Sequence, residues 1–222
     1  MTLTATPPKT LQAHIPQTEI PNVYGRIARV YDLWAALTER KARNACLDAA
    51  RVRDGEHVLE VAVGTGLAFR ELVRANPSGV TEGIDLTEPM LARARAKVAS
   101  LPGQHRLRVG DAHALDFGDG TFDVLVNNYM FDLLPEADFA PVLAEFHRAL
   151  KPGGRLVLVN MAHGASLGTR LWELVYRASP ALLGGCRGVS LVPHLEAAGF
   201  REIARSYLSE LGFPSEVITA RR

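Results

Sequence analysis

His57-Val58-Leu59-Glu60-Val61-Ala62-Val63-Gly64-Thr65-Gly66 is a β-branched run that breaks into a glycine turn. Leu67 to Ala75 follows with helical periodicity, so the stretch reads as strand, tight turn and helix. The unit then recurs. Gly79 to Ile84 is a second apolar run closed by Asp85, and Thr87 is placed to cap a helix reaching about Ser100. Arg106 to Val109 reads as a third strand ending in Gly110-Asp111, and Phe122 to Val126 as a fourth. Glu136 to Leu150 is helical until Lys151-Pro152-Gly153-Gly154 stops it, and Arg155 to Asn160 is the fifth strand. This alternation predicts a parallel sheet covered by helices on both faces, an α/β three-layer sandwich. Phe200 to Leu208 and Phe213 to Ala220 are two further strands joined only by residues around Gly212. So short a connection cannot be a crossover, so these two must run antiparallel.

Upstream the pattern changes. Residues 1–21 carry Pro7, Pro8, Pro16 and Pro21 without a hydrophobic period and read as a flexible arm. Val23, Tyr24, Ile27, Val30, Tyr31 and Trp34 recur at helical spacing, and a second helix runs from about Glu39 to Arg51, with Ala42, Cys46 and Ala49 on its apolar side. Residues 22–54 are thus expected to form N-terminal helices acting as a lid, and residues 55–222 the ligand-binding domain. A helical insert at about 163–188 carries Leu167, Leu171, Trp172 and Tyr176. It suits either a core-covering helix or a cap over an apolar acceptor pocket.

The chain has 222 residues, 47% of them apolar, with 25 Lys and Arg against 24 Asp and Glu. A net charge of +1 argues against a nucleic-acid binder. No apolar run approaches the roughly 18 residues of a membrane span, and no signal-peptide core is seen. Cys46 and Cys186 lack ligand-like neighbours, so no metal site and a reduced, cytoplasmic setting are expected. Charge is uneven: Arg26 to Arg53 holds seven Lys and Arg against three acids, whereas Val109 to His147 holds eight acids and no Lys or Arg. The basic helices suit a solvated face or, at most, peripheral contact with an anionic membrane surface.

Ligands of open parallel sheets bind beyond the carboxyl ends of the strands, which makes the residues ending each strand informative. Gly64, Thr65 and Gly66 let a ligand approach the backbone, and the helix behind them offers free N–H groups. Asp85, nineteen residues beyond Gly66, can accept both hydroxyls of a ribose. Asp111, ending the third strand, can accept from the exocyclic amine of an adenine. A dinucleotide fingerprint asks for a third glycine where this chain has Phe69, which disfavours a nicotinamide-dependent oxidoreductase.

From Tyr31 onward the chain resembles the class I S-adenosylmethionine-dependent methyltransferases. The likeness lies in Tyr31-Asp32-Leu33, Leu59-Glu60-Val61, Asp85 through Pro89-Met90-Leu91-Ala92, Gly110-Asp111-Ala112, Phe122-Asp123 and Leu150-Lys151-Pro152-Gly153-Gly154. These look like the branch with quinone-biosynthesis C-methyltransferases and bacterial phospholipid N-methyltransferases, although Asn127 to Pro135 matches neither sub-branch. The resemblance implies a Rossmann-like, seven-stranded and mostly parallel sheet with its last strand reversed. It also implies bound S-adenosylmethionine, leaving as S-adenosylhomocysteine, held by Tyr31, Glu60, Ala62, Gly64, Thr65, Gly66, Asp85, Leu86, Met90, Asp111 and Ala112. Ala62 stands where the family often has glycine, which predicts a slightly tighter pocket.

Methyl transfer from a sulfonium is an in-line displacement, so the protein chiefly holds donor and acceptor in line. A base is needed only if the acceptor must lose a proton. Candidates for catalysis are His163, Tyr31 and Tyr129, with His113 a further loop histidine. Asn127 is expected near the methionine ammonium, and Tyr24, Asn128, Tyr129, His163 and Trp172 near a small-molecule or lipid-like acceptor. Tyr24 and Tyr31 equally suit the stripe that docks their helix. A non-catalytic S-adenosylmethionine-binding regulatory module satisfies the same donor motifs. The sequence does not fix the oligomeric state.

Overall fold

The computed structural model describes residues 38–162, 187–210 and 213–222. Seven strands form one sheet: β1 (His57–Val61), β2 (Val80–Asp85), β3 (Gln104–Val109), β4 (Phe122–Asn128), β5 (Leu150–Met161), β6 (Arg201–Glu210) and β7 (Phe213–Arg221). Their order is β3-β2-β1-β4-β5-β7-β6. The first five pair in parallel, and β7 slots antiparallel between β5 and β6. The chain therefore winds outward from β1 to β3 and returns to β4 on the other side of β1. The strand order reverses at β1 and β4, where crossovers leave on opposite faces and a crevice opens at the carboxyl ends.

Helices α1 (Arg40–Ala50), α2 (Leu67–Ala75), α3 (Glu88–Val98), α4 (Phe139–Ala149) and α5 (Val192–Ala197) cover the sheet. Because successive strand residues face opposite sides, the central strands are apolar on both. Leu59, Leu125, Leu156 and Leu158 pack with Phe139 and Phe146 of α4, whereas Val58, Val126 and Val157 pack with Cys46 of α1 and Leu72 of α2. Each such fully buried side chain stabilises the fold by about 1.5–3 kcal/mol.

The α2–α3 layer depends on two glycines. A Cβ at Gly66 would stand 2.7 Å from the Ala94 Cβ, so α3 packs directly on the turn. A Cβ at Gly83 in β2 would stand 2.8 Å from the ring of Phe69, which is fully buried. The space a third turn glycine would have left is here occupied by Phe69, with the glycine moved onto the strand beneath it.

Several boundaries differ from the sequence reading. β5 begins at Leu150 rather than Arg155, because Phe122 pairs with Leu150 and a register shift before Val124 absorbs the Pro-Gly-Gly stop signal as an irregularity in the strand. Glu136–Asp138 forms a 3-10 turn ahead of α4. α5 starts at Val192, and Val189 instead makes a parallel bridge to Ala162. Thr87 occupies the N-cap position of α3 without a side-chain capping bond, since it turns toward Asp85. The chain around Gly212 lies outside the described residues.

Candidate functional site

Beyond the ends of β1 to β4 lies a cleft bounded by Ala62, Gly64, Asp85, Leu86 and Met90 on one side and by Gly110 to His113 and Asn128 to Met130 on the other. A second, smaller cavity adjoins it, sharing Ala62, Gly64, Asn128 and Tyr129 and extending to Glu60, Thr65 and the α1 flank at Glu39 and Arg43.

Asp85 sits at the centre of the first cleft. Its Oδ2 accepts from the Gly64 N–H at 2.7 Å and its Oδ1 from the Thr87 N–H at 2.8 Å. Burial raises its pKa, and these bonds offset part of that rise. The Thr87 side chain bonds the carboxylate as well, so it is aimed into the cleft with acceptor capacity left for a ligand hydroxyl. Leu86 is 45% exposed, as an apolar residue waiting for a flat ligand would be. At the far end, Asp111 Oδ1 accepts from the His113 N–H at 2.9 Å and meets the His113 Nδ1 at 2.8 Å. Burial alone would raise Asp111, yet the His113 bonds outweigh it and hold the carboxyl below its ordinary value. His113 Nε2 also lies 3.6 Å from an Asp138 oxygen, so two carboxylates pin the ring at the cleft mouth.

The turn residues are conformationally special. Gly64 and Gly66 adopt φ of +56° and +83°, and a Cβ on Gly64 would meet nothing within 4 Å, leaving open room for a ligand against the backbone. Ala62 holds φ +59° and Tyr129 φ +52°, left-handed conformations that are strained for residues with a side chain and that concentrate at ligand sites.

Glu60, next to last in β1, is almost fully buried. One of its oxygens is 3.4 Å from Asn128 Nδ2 and the other has no partner. Burial pushes its pKa up to about 8, aided by nearby Asp85 and opposed by Asn128 and Arg43. Burial likewise raises Glu39 to about 7, against the pull of Arg43.

Asn127 requires a correction. It is fully buried on the opposite side of β4, donating to the Val61 carbonyl at 2.8 Å, and borders neither cavity. Adjacent strand residues point to opposite faces, so Asn128, unlike Asn127, lines both cavities. Tyr129 borders both cavities, and its hydroxyl is engaged with Ser215 Oγ of β7 at 2.7 Å, which makes it an anchor in this structure. Gly64, Thr65, Asp85, Leu86, Met90, Asp111 and Ala112 all border the cavities. Tyr24, Tyr31, His163 and Trp172 lie outside the described residues. Glu39 and Arg43 escaped the sequence reading, which took the polar face of α1 as solvated. Their signal was the one-turn spacing on a helix leading into β1.

A sheet ordered 3-2-1-4-5-7-6 with a reversed β7, and a cleft crossing a glycine turn, Asp85 and Asp111 in that order, is the arrangement that the resemblance to class I S-adenosylmethionine-dependent methyltransferases implies. Residues 58–154 match the family model described as a methyltransferase domain. The chain resembles this class and, within it, the quinone-biosynthesis branch. It is 37% identical over 150 residues to the ubiquinone/menaquinone biosynthesis C-methyltransferase UbiE of Paracoccus denitrificans, across 64% of this chain and 59% of that protein. The chain thus spans about three fifths of the length of such curated relatives. An S-adenosylmethionine-dependent methyltransferase of Thermotoga maritima superposes with a TM-score of 0.68 at 22% identity, covering 90% of this chain and 98% of that one. A phosphoethanolamine N-methyltransferase of Haemonchus contortus, solved with S-adenosylhomocysteine, gives a TM-score of 0.66 at 15% identity, covering 82% and 52%. No described helix is long and apolar enough to cross a membrane.

Proposed function

We propose that the chain transfers a methyl group from S-adenosylmethionine to a small-molecule or lipid-like acceptor by in-line displacement. The observation that carries this reading is the cleft running from Asp111-Ala112 past Asp85 to Gly64 and Asn128, at the point where strand order reverses. The residues fit the donor by their own chemistry: a preorganised carboxylate for a diol, exposed Leu86 and buried Met90 for a flat base, and open space over Gly64. When bound, the donor supplies an electrophilic methyl on a sulfonium that leaves as a neutral thioether. The chain supplies placement, which can lower the barrier by about 7–11 kcal/mol. Asp85 fixes the ribose, Asp111 and Ala112 the adenine edge, and Met130, Leu133 and Leu134 give an apolar wall from which water is excluded. Similarity to the quinone-biosynthesis C-methyltransferases supports an aromatic, lipid-tailed acceptor. On the sequence reading His163, Tyr24 and Trp172 remain assigned to the acceptor side and Tyr31 to the donor.

Calorimetric titration with S-adenosylmethionine and, separately, NADH tests the donor. Saturable binding of S-adenosylmethionine alone, weakened at least tenfold by Asp85→Ala, is expected. Binding of NADH, or none, overturns the reading. A following acceptor screen with demethylmenaquinone and phosphatidylethanolamine vesicles separates ring carbon from headgroup nitrogen methylation. Donor binding without turnover on any acceptor would instead favour a regulatory module.

A further inference from the structure

Among the described residues, buried side-chain atoms without a hydrogen-bond partner gather at two places, with single atoms on Asn127 and His105 besides. One place is the donor site, at Glu60 and Asn128. The other is a trio outside it: Oδ1 of Asp132, both polar atoms of the Asn160 amide and Oε1 of Glu216, all on fully buried residues that border neither cavity. The trio is contiguous. Asn160 of β5 stands opposite Glu216 of β7, and the next residue, Met161, donates its N–H to Asp132 Oδ2 at 2.9 Å. Asp132 also lies within the fields of Glu216 and Arg187. From Leu156 to Val159 and again at Met161 the strand is apolar and buried, so an apolar residue at 160 would simply continue its pattern. Orphaned polar atoms held together in this way are costly, and a ligand is what would meet them.

Leu133 and Leu134, which follow Asp132, line the adenosine cleft, so a group held by the trio lies beside the bound donor. The chemistry of that group follows from what the orphans lack: donors for the oxygens of Asp132, Glu216 and Asn160, and an acceptor for the Asn160 amide nitrogen. A phosphate or carboxylate brings acceptors only and adds negative charge to two acids. An ammonium brings donors only, and both acids already have cations. Arg205 Nη2 donates to Glu216 Oε2 at 2.8 Å, and Arg187, which donates to the Asp132 carbonyl at 2.7 Å, draws on the Asp132 carboxyl. A hydroxyl brings a donor and an acceptor without charge. We propose that Asp132, Asn160 and Glu216 are specificity residues for the acceptor, holding a neutral compound through one or two hydroxyls beside the methyl donor. The inference rests on the methyl-donor reading above. The trio admits a hydroxylated ring and rejects a phosphorylated or ammonium headgroup.

Calorimetric titration of the protein saturated with S-adenosylhomocysteine tests this with three ring-matched probes: 1-naphthol, 1-methoxynaphthalene and 1-naphthylmethylamine, the last protonated at neutral pH. 1-Naphthol is expected to bind about 10- to 100-fold tighter than either of the others, the worth of a hydrogen bond to a charged group. Asn160→Leu and Asp132→Asn, the latter keeping an oxygen for the Met161 N–H, should each cut that preference below about fivefold and leave S-adenosylhomocysteine affinity within about twofold. Thermal melts separate recognition from a structural role. Asn160→Leu should melt no lower than the wild type, because it removes orphaned atoms. A lower melt with the probe preference intact, as a water-filled structural network would give, overturns the proposal. Equal affinities for the three probes, or no binding of 1-naphthol while S-adenosylhomocysteine binds, overturn it as well. Failure of S-adenosylhomocysteine itself to bind overturns the donor reading instead.

Discussion

Ala62 holds a left-handed φ of +59° at a turn the family often gives to glycine. Such a conformation costs a residue with a Cβ about 1–2 kcal/mol, whereas glycine loses about 0.4–1 kcal/mol to the freedom of its unfolded chain. Ala62→Gly should therefore raise the melting temperature slightly, by about 2 °C at the roughly 2–4 °C per kcal/mol of a domain this size, as a thermal melt will show. Tyr129 is strained in the same sense, and its hydroxyl lies on Ser215. Tyr129→Phe removes that bond and should cost about 1 kcal/mol in denaturant unfolding while leaving the pH profile of turnover unmoved. A change in that profile would return the phenol to proton transfer. The two asparagines show what the sequence did and did not say. Asp85 and Asp111 were legible because each follows its strand at the end where ligands bind. Asn127 was misplaced because adjacency in sequence hides the alternation that sends it away from the cleft.

At the scale of elements, the strand–turn–helix unit was legible because a β-branched run, two glycines and a helical period all point one way. Boundaries were less so: β5 starts at Leu150 because pairing to Phe122 outweighs the local stop signal of Pro152-Gly153-Gly154. The contact between α2 and β2 was hidden altogether, since nothing local links Phe69 to Gly83. A Cβ at Gly83 would stand 2.6 Å from Val63 Cγ2, 2.7 Å from Leu107 Cδ2 and 2.8 Å from the Phe69 ring. Gly83→Ala should thus destabilise the protein by about 1–3 kcal/mol, the usual cost of overpacking. The double variant with Phe69→Leu should lose less than the sum of the two changes, which a double-mutant cycle in urea will measure.

Across the whole molecule, carboxyls fall into two groups with opposite pH behaviour. Burial raises Glu60 to about 8, Glu39 to about 7 and Asp132 well above its ordinary value. Each therefore holds its proton to higher pH when folded than when unfolded. Between about pH 4.5 and 8 the native state therefore holds more protons, and stability falls as pH rises. Asp123, held low by Lys151 and the His57 N–H against some burial, and Glu145, held low by Arg148, act the other way and lose their contribution below their ordinary values. The unliganded protein should be most stable near pH 5–6, and its melting temperature should drop by several degrees by pH 8.5. Glu60→Gln should flatten that fall. An equally steep decline in the variant would remove Glu60 as its source.

The exchange of glycine and aromatic ring between helix and strand also bears on ancestry. Restoring a turn glycine by Phe69→Gly would empty a fully buried site, and filling Gly83 first would drive a methyl group into the ring. Each single change carries a packing cost of its own. The pair is therefore expected to vary together, so the residue at the turn is constrained by the strand beneath it as well as by any ligand.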